Sequence, residues 1–264
     1  MWATLALLTA LQLTPAQAGQ LRLTNDRATY GKHGATRADN KLLPGDSFVV
    51  QFDIENVEVG KDGKVLYSIG LEFLDAKDQV KFKQSPQDME ITNVFGGNRI
   101  PAFAEVEIGL DTPPGEYTFK VQVADRRAKT SQTLVRKFEV LPKDFGILRL
   151  QTTNGQTPAP PIGVVGQDLV IDFATAGFGR DKTRKQPNIL VEMNVLDDAG
   201  KPTLEEPMKY GTEKDVPESY LSLRWLIPLR LNRPGKFTVE LKATDQVSKK
   251  TSKVSFPVTV LEQK

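Results

Sequence analysis

At 264 residues the chain has room for two ordinary domains, each large enough to bury its own core. It contains no cysteine, which excludes disulfides, thiolate metal sites, cysteine nucleophiles and a lipid-anchored N-terminal cysteine. With 35 Lys and Arg against 33 Asp and Glu the net charge is +2, too close to neutral to imply nucleic acid or an anionic membrane as partner, and 39% hydrophobic residues are too many for a disordered chain.

The first segment, "MWATLALLTALQLTPAQA", has no charged side chain, an apolar stretch from Trp2 to Leu13 and small residues at Ala16 and Ala18. This pattern predicts a signal peptide over residues 1–18, cut before Gly19, in which the amino terminus alone supplies the positive charge. The apolar run is too short to span a hydrocarbon core of roughly 30 Å as a helix. The expected compartment is therefore outside the cytoplasm: periplasm, cell surface or medium.

From Gly19 onward the sequence reads twice. "GQLRLTN" at 19–25 returns as "GILRLQT" at 146–152, and "PGDSFVVQFDI" (44–54) as "VGQDLVIDFAT" (165–175). In the latter pair Phe48, Val50 and Phe52 alternate as Leu169, Ile171 and Phe173 do, the period of a half-buried strand. Next, Tyr67, Ile69, Leu71 and Phe73 answer to Ile189, Val191, Met193 and Val195, each run ending in Leu-Asp and a turn. The strongest match sets "PPGEYTFKVQVAD" (113–125) against "RPGKFTVELKATD" (233–245). A last strand places Leu134, Phe138 and Val140 against Val254, Val258 and Val260, with Pro257 suited to a sheet edge because it has no N–H. No window of ten or more residues has a helical period, although "DMEITNVFGGN" has room for one short helical turn. Internal duplication of an all-β unit predicts two antiparallel sandwiches, over 19–142 and 143–264, joined by a short linker at Pro142 to Asp144 that leaves them semi-rigid.

The run of Leu110 followed by Gly115-X-Tyr117-X-Phe119-X-Val121 resembles the Leu…Gly-X-Tyr-X-Cys signature that leads into strand F of immunoglobulin-like domains. Phe119 and Val239 stand where antibody domains carry a cysteine, the strand C tryptophan is missing, and Phe237 replaces the tyrosine in the second copy. The resemblance is thus to the disulfide-free bacterial Ig-like and fibronectin-III-like modules found in tandem on exported proteins. It implies a tyrosine corner at Tyr117 and a role as spacer, adhesin or accessory domain, with a protein or another envelope component as partner and no enzymatic activity.

Several residues invite chemistry. His33 is the only histidine, which excludes ordinary His/Cys zinc sites and leaves a Ser-His-Asp triad dependent on one polar loop. Recurring acids pair Asp46 with Asp168, Asp75 with Asp197 and Asp125 with Asp245; their neighbours are those of strand-end turns, with Asp197 and Asp198 the first to test for calcium. Basic hairpins carry Arg126, Arg127 and Lys129 in one copy and Lys249 and Lys250 in the other, and "GRDKTRK" adds Arg180. "VFGGNRIPAF" (94–103) is read as a crossover loop whose aromatics cap the core, with Arg99 at its polar turn; Trp225 lies in the matching strand of the second copy. Arg99, Arg126, Arg127 and Trp225 are the candidate ligand contacts, and they carry the alternative reading, a carbohydrate- or polyanion-binding module. No cofactor is implied.

Overall fold

The computed structural model describes residues 19–263, and the signal peptide expected over 1–18 lies outside them. The first half forms β1 (Arg22–Thr29), β2 (Lys41–Leu42), β3 (Ser47–Glu55), β4 (Lys64–Asp75), β5 (Val80–Thr92), β6 (Arg99–Glu107), β7 (Gly115–Asp125) and β8 (Thr130–Val140). The second forms β9 (Gly146–Asn154), β10 (Thr157–Pro158), β11 (Ile162–Val164), β12 (Asp168–Ala176), β13 (Ile189–Leu196), β14 (Met208–Thr212), β15 (Ser222–Arg230), β16 (Gly235–Asp245) and β17 (Thr251–Leu261). The described residues contain no helix, and the segment with room for a helical turn is the end of β5 and a tight loop.

Sheet β1-β3-β6 packs on β2-β8-β7-β4-β5, and β10-β9-β12-β15 on β11-β17-β16-β13-β14. Pairing is antiparallel except for the short β2–β8 and β11–β17 ladders. Both halves therefore have the same Ig-like order, three long strands against four. The alternating residues expected inside are inside: Phe48, Phe52 and Phe119 fill one core, Ile171, Phe173 and Met193 the other. Aromatic rings carry much of the first core, with Phe138 stacked on Phe48 at 4.7 Å and Phe48 meeting Phe119 edge-on at 5.9 Å. Pro257 lies beyond the end of the β11 ladder, which covers only Thr259 to Leu261, so the missing N–H faces an open edge.

The strand corners repeat in chemistry as well as in path. Asp75 accepts from the N–H groups of Lys77 and Gln79, and Asp197 from those of Ala199 and Lys201. Asp125 and Asp245, both buried, close the β7–β8 and β16–β17 hairpins in the same way, with Lys129 and Lys249 at positive φ four residues on. These carboxylates are occupied by backbone donors, as turn chemistry requires.

One correspondence needs correcting. Asp46 matches Gln167, not Asp168: Gly45 and Gly166 donate to Ile108 and Leu231, which donate back to Asp46 and Gln167. Asp168 is an exposed partner of Arg230, whereas Asp46 is buried at the join between the sandwiches.

That join is more than the linker. Residues 30–39, polar in sequence, form a strap that leaves the first sandwich after β1 and lies on the second before the chain returns at β2; Tyr30 and Ala35 pack against the second core. Arg37 stacks over the Tyr30 ring at 4.8 Å and bonds the Asp46 carboxylate through Nη1 at 3.3 Å and Nη2 at 3.2 Å. The same carboxylate accepts from the backbone N–H of Arg149, on β9, at 2.7 Å, and the Arg149 Nε donates to the Gly45 carbonyl at 2.8 Å. Lys143 pairs with Asp111 and Lys250 with Asp144 across the linker. Gly177 has φ +72°, and a Cβ there would stand 2.2 Å from the Asp144 carbonyl oxygen, so the chain passes the linker too closely for any side chain.

Candidate functional site

β3 runs from the join to the opposite end of the first sandwich, where three loops meet. Val57 donates to the Asn98 carbonyl, Asn93 to that of Gly63, and Glu58 to the buried Asp125 carboxylate, so residues 56–63, 93–98 and 125–129 form one hydrogen-bonded tip. At its apex stand Val94, 77% exposed, and Phe95, 102% exposed. The reading of "VFGGNRIPAF" as a loop whose aromatics cap the core is therefore wrong for Phe95. The sharp turn at Gly96 and Gly97, with φ of +74° and +82°, directs the ring into solvent, and Asn93 Nδ2 fixes the turn by donating to the Gly97 carbonyl at 3.0 Å. Phe103 packs instead on the strap, edge-on to His33 at 5.9 Å and beneath the Lys32 ammonium at 4.9 Å.

The candidate contacts do not gather into one surface. Arg126 is bound to Asp88 on β5 at 3.0 Å, and Arg127 is half-buried against the 56–63 loop beside Gly60. Arg99 lies over the outer face of the thin sheet, where it and Asn25 clamp the buried Asp53 carboxylate. Burial raises that acid's pKa, but hydrogen bonds from Arg99 and Asn25 outweigh it and hold the group below the ordinary aspartate range. Trp225 belongs to the second sandwich: its ring is stacked on Phe173 at 6.4 Å and its Nε1–H donates to the Thr175 hydroxyl at 3.0 Å. Beside it Arg224 clamps Asp172 with two hydrogen bonds of 2.8 and 2.9 Å.

Arg180, read from sequence as part of a basic loop, is committed to structure. Its guanidinium donates to the carbonyls of Lys185, Val216, Pro217 and Tyr220 and so holds the loop before β15 in place. His33 is exposed on the strap at positive φ. Among the described residues no three His, Asp or Glu side chains form a metal-binding group, and no helix is long and apolar enough to cross a membrane.

Sequence reasoning missed two features. The strap reads as a polar loop because its contacts are made one at a time by Tyr30, Ala35 and Arg37 rather than along a periodic face. The exposure of Phe95 depends on where a glycine turn points, which the residue order alone does not specify.

No family model matches the chain, and no curated protein does. Among solved structures it is similar to a red sea bream transglutaminase, with 11% identity and a TM-score of 0.30, covering 94% of this chain but only 32% of that one. It is also similar to the C-terminal domains of two antigen I/II polypeptides, Streptococcus pyogenes AspA (7% identity, TM-score 0.31) and Streptococcus agalactiae BspA (8%, 0.31). These cover 91% and 90% of this chain, respectively, and all of their own. At these values the likenesses carry no argument about function.

Proposed function

We propose that the protein is an exported, non-enzymatic adhesion or scaffold protein in which two duplicated Ig-like domains, 19–142 and 143–264, hold a recognition tip away from the rest of the molecule. The observation that carries this reading is Phe95, an aromatic ring standing wholly in water on a loop tied by hydrogen bonds. Loops at the end of a sandwich are where this fold places its contacts, and aromatic anchors dominate protein interfaces. The buried ties at the join support a stiff pair, which fixes the direction in which the tip is presented. The partner is a protein or another envelope component.

The test is a photo-crosslinking side chain at position 95 in the producing cell, with position 226, on the exposed face of β15, as control. One discrete adduct specific to position 95, recovered from outside the cytoplasm and lost on competition with unlabelled protein, is the expected result. Absence of an adduct, or the same adducts from both positions, would overturn the reading.

A further inference from the structure

The two sandwiches each have a cleft in the same place, between the unpaired edges of the two sheets at the corner before the strand that opens with Gly115 or Gly235. Their chemistry differs. In the first, the Tyr117 hydroxyl donates to the Pro113 carbonyl at 2.7 Å and ties the corner, and Lys81, Glu105 and Glu107 line the opening. In the second, Phe237 has no hydroxyl and Arg233 replaces Pro113, so the tie becomes a guanidinium over an aromatic ring at 5.2 Å.

That substitution changes what the cleft can hold. Its volume is about 470 Å³, within the range of small-ligand sites. Its accessible apolar surface comes from Leu204 and Met208, which are exposed, and from the half-buried Leu229 and Phe237, with Met193, Val239 and Val258 fully buried beneath them; no Asp or Glu lines it. At the mouth are two arginines. Arg230 gives Nη1 to Asp168 at 3.0 Å, while Arg233, over the Phe237 ring, has no carboxylate in ion-pair range among the described residues, so its N–H groups are free of a charged partner. A strand-like peptide fits poorly: Pro228 lines the cleft and deprives the free edge of β15 of a donor there.

We propose that this cleft of the second sandwich binds a small anionic amphiphile, an alkyl chain against Leu204, Met208, Leu229 and Phe237 with its carboxylate on Arg233 and Arg230. The apolar surface supplies affinity in proportion to the chain buried, and the guanidinium fork selects the planar anionic head. The first sandwich's cleft offers no free guanidinium in the corresponding place: Pro113 stands where Arg233 does.

The test uses the protein titrated with dodecanoate below its micelle concentration, followed by calorimetry and by heteronuclear NMR. One equivalent should bind, with shifts centred on Phe237, Leu229 and Leu204, and dodecyltrimethylammonium should bind at least tenfold more weakly. Arg233→Glu should weaken dodecanoate at least tenfold, while Arg126→Glu leaves it unchanged. If Arg233→Glu does not fold, Arg233→Gln with the same shift mapping takes its place, with at least a threefold loss expected. No binding, equal binding of the cationic amphiphile, or affinity unaffected by change at position 233 would each overturn the proposal.

Discussion

Replacing Asp46 by Ala tests whether the strap holds the two sandwiches together. The carboxylate is 5% exposed, its partner Arg37 10%. It accepts four hydrogen bonds, two from Arg37, one from the Ser47 N–H and one from the Arg149 N–H. Removing one member of a buried ion pair costs about 3–5 kcal/mol, because the other charge is left without compensation. An orphaned buried N–H adds about 1–3 kcal/mol. Arg37 is close enough to the surface to swing into water, so the low end of both applies, about 4 kcal/mol in all. For a chain of this size that corresponds to a fall in Tm of about 8–16 °C. Thermal denaturation followed by circular dichroism reads the loss, and small-angle scattering reads whether the pair becomes more extended or more variable. Asp168→Ala is the control, an exposed pair for which a change of about 0–1 kcal/mol is expected. The double variant Arg37→Met/Asp46→Leu should recover part of the loss, because no unpaired charge remains. If Asp46→Ala melts within about 1 °C of Asp168→Ala and scatters as the parent does, the strap is not what fixes the join.

Further predictions follow from individual contacts. Tyr117→Phe removes the 2.7 Å hydroxyl bond to Pro113 and should lower stability by about 1 kcal/mol, measured by urea denaturation. Gly177→Ala places a Cβ against the Asp144 carbonyl at positive φ and should cost more than the roughly 1–2 kcal/mol of the backbone conformation alone; Gly200→Ala, at a turn with open space, is the comparison. Burial raises the pKa of Asp172, but the Arg224 clamp and Gln151 outweigh it and hold the acid below the ordinary aspartate range. Stability from this group is thus present above about pH 3.9 and lost as pH falls further, so Tm measured between pH 5 and 2 should fall less steeply in Asp172→Asn than in the parent. Phe95→Ser removes no buried contact and should leave Tm unchanged within about 0.5 kcal/mol of stability while reducing any apolar dye binding.

The all-β class, the strand positions and the corner chemistry were legible because each follows from local pattern. Phe48, Val50 and Phe52 alternate, Asp125 and Asp245 stand where a hairpin needs an acceptor, and the Tyr117 hydrogen bond is the one that the resemblance to Ig-like domains implied. What the sequence hid depends on contacts between distant segments. Asp46 looks like Asp168 when acids near strand starts are matched by eye, yet a one-residue offset turns a solvated surface acid into the centre of a buried cluster. Arg180 and Arg126 look like free positive charge until Val216, Tyr220 and Asp88 are brought to them. Trp225 looks like an exposed anchor until Thr175 and Phe173 are seen beside it.

The strap also has a consequence for the order of events during synthesis. Tyr30 and Ala35 leave the ribosome more than a hundred residues before the core they help cover. When the first sandwich is complete, these side chains have nothing to rest on, and the nascent chain carries a ready docking edge for its own second half. The later sandwich therefore folds against a surface that already exists, so residues 143–264 produced alone should refold more slowly and aggregate sooner than when they follow residues 19–142 on the same chain.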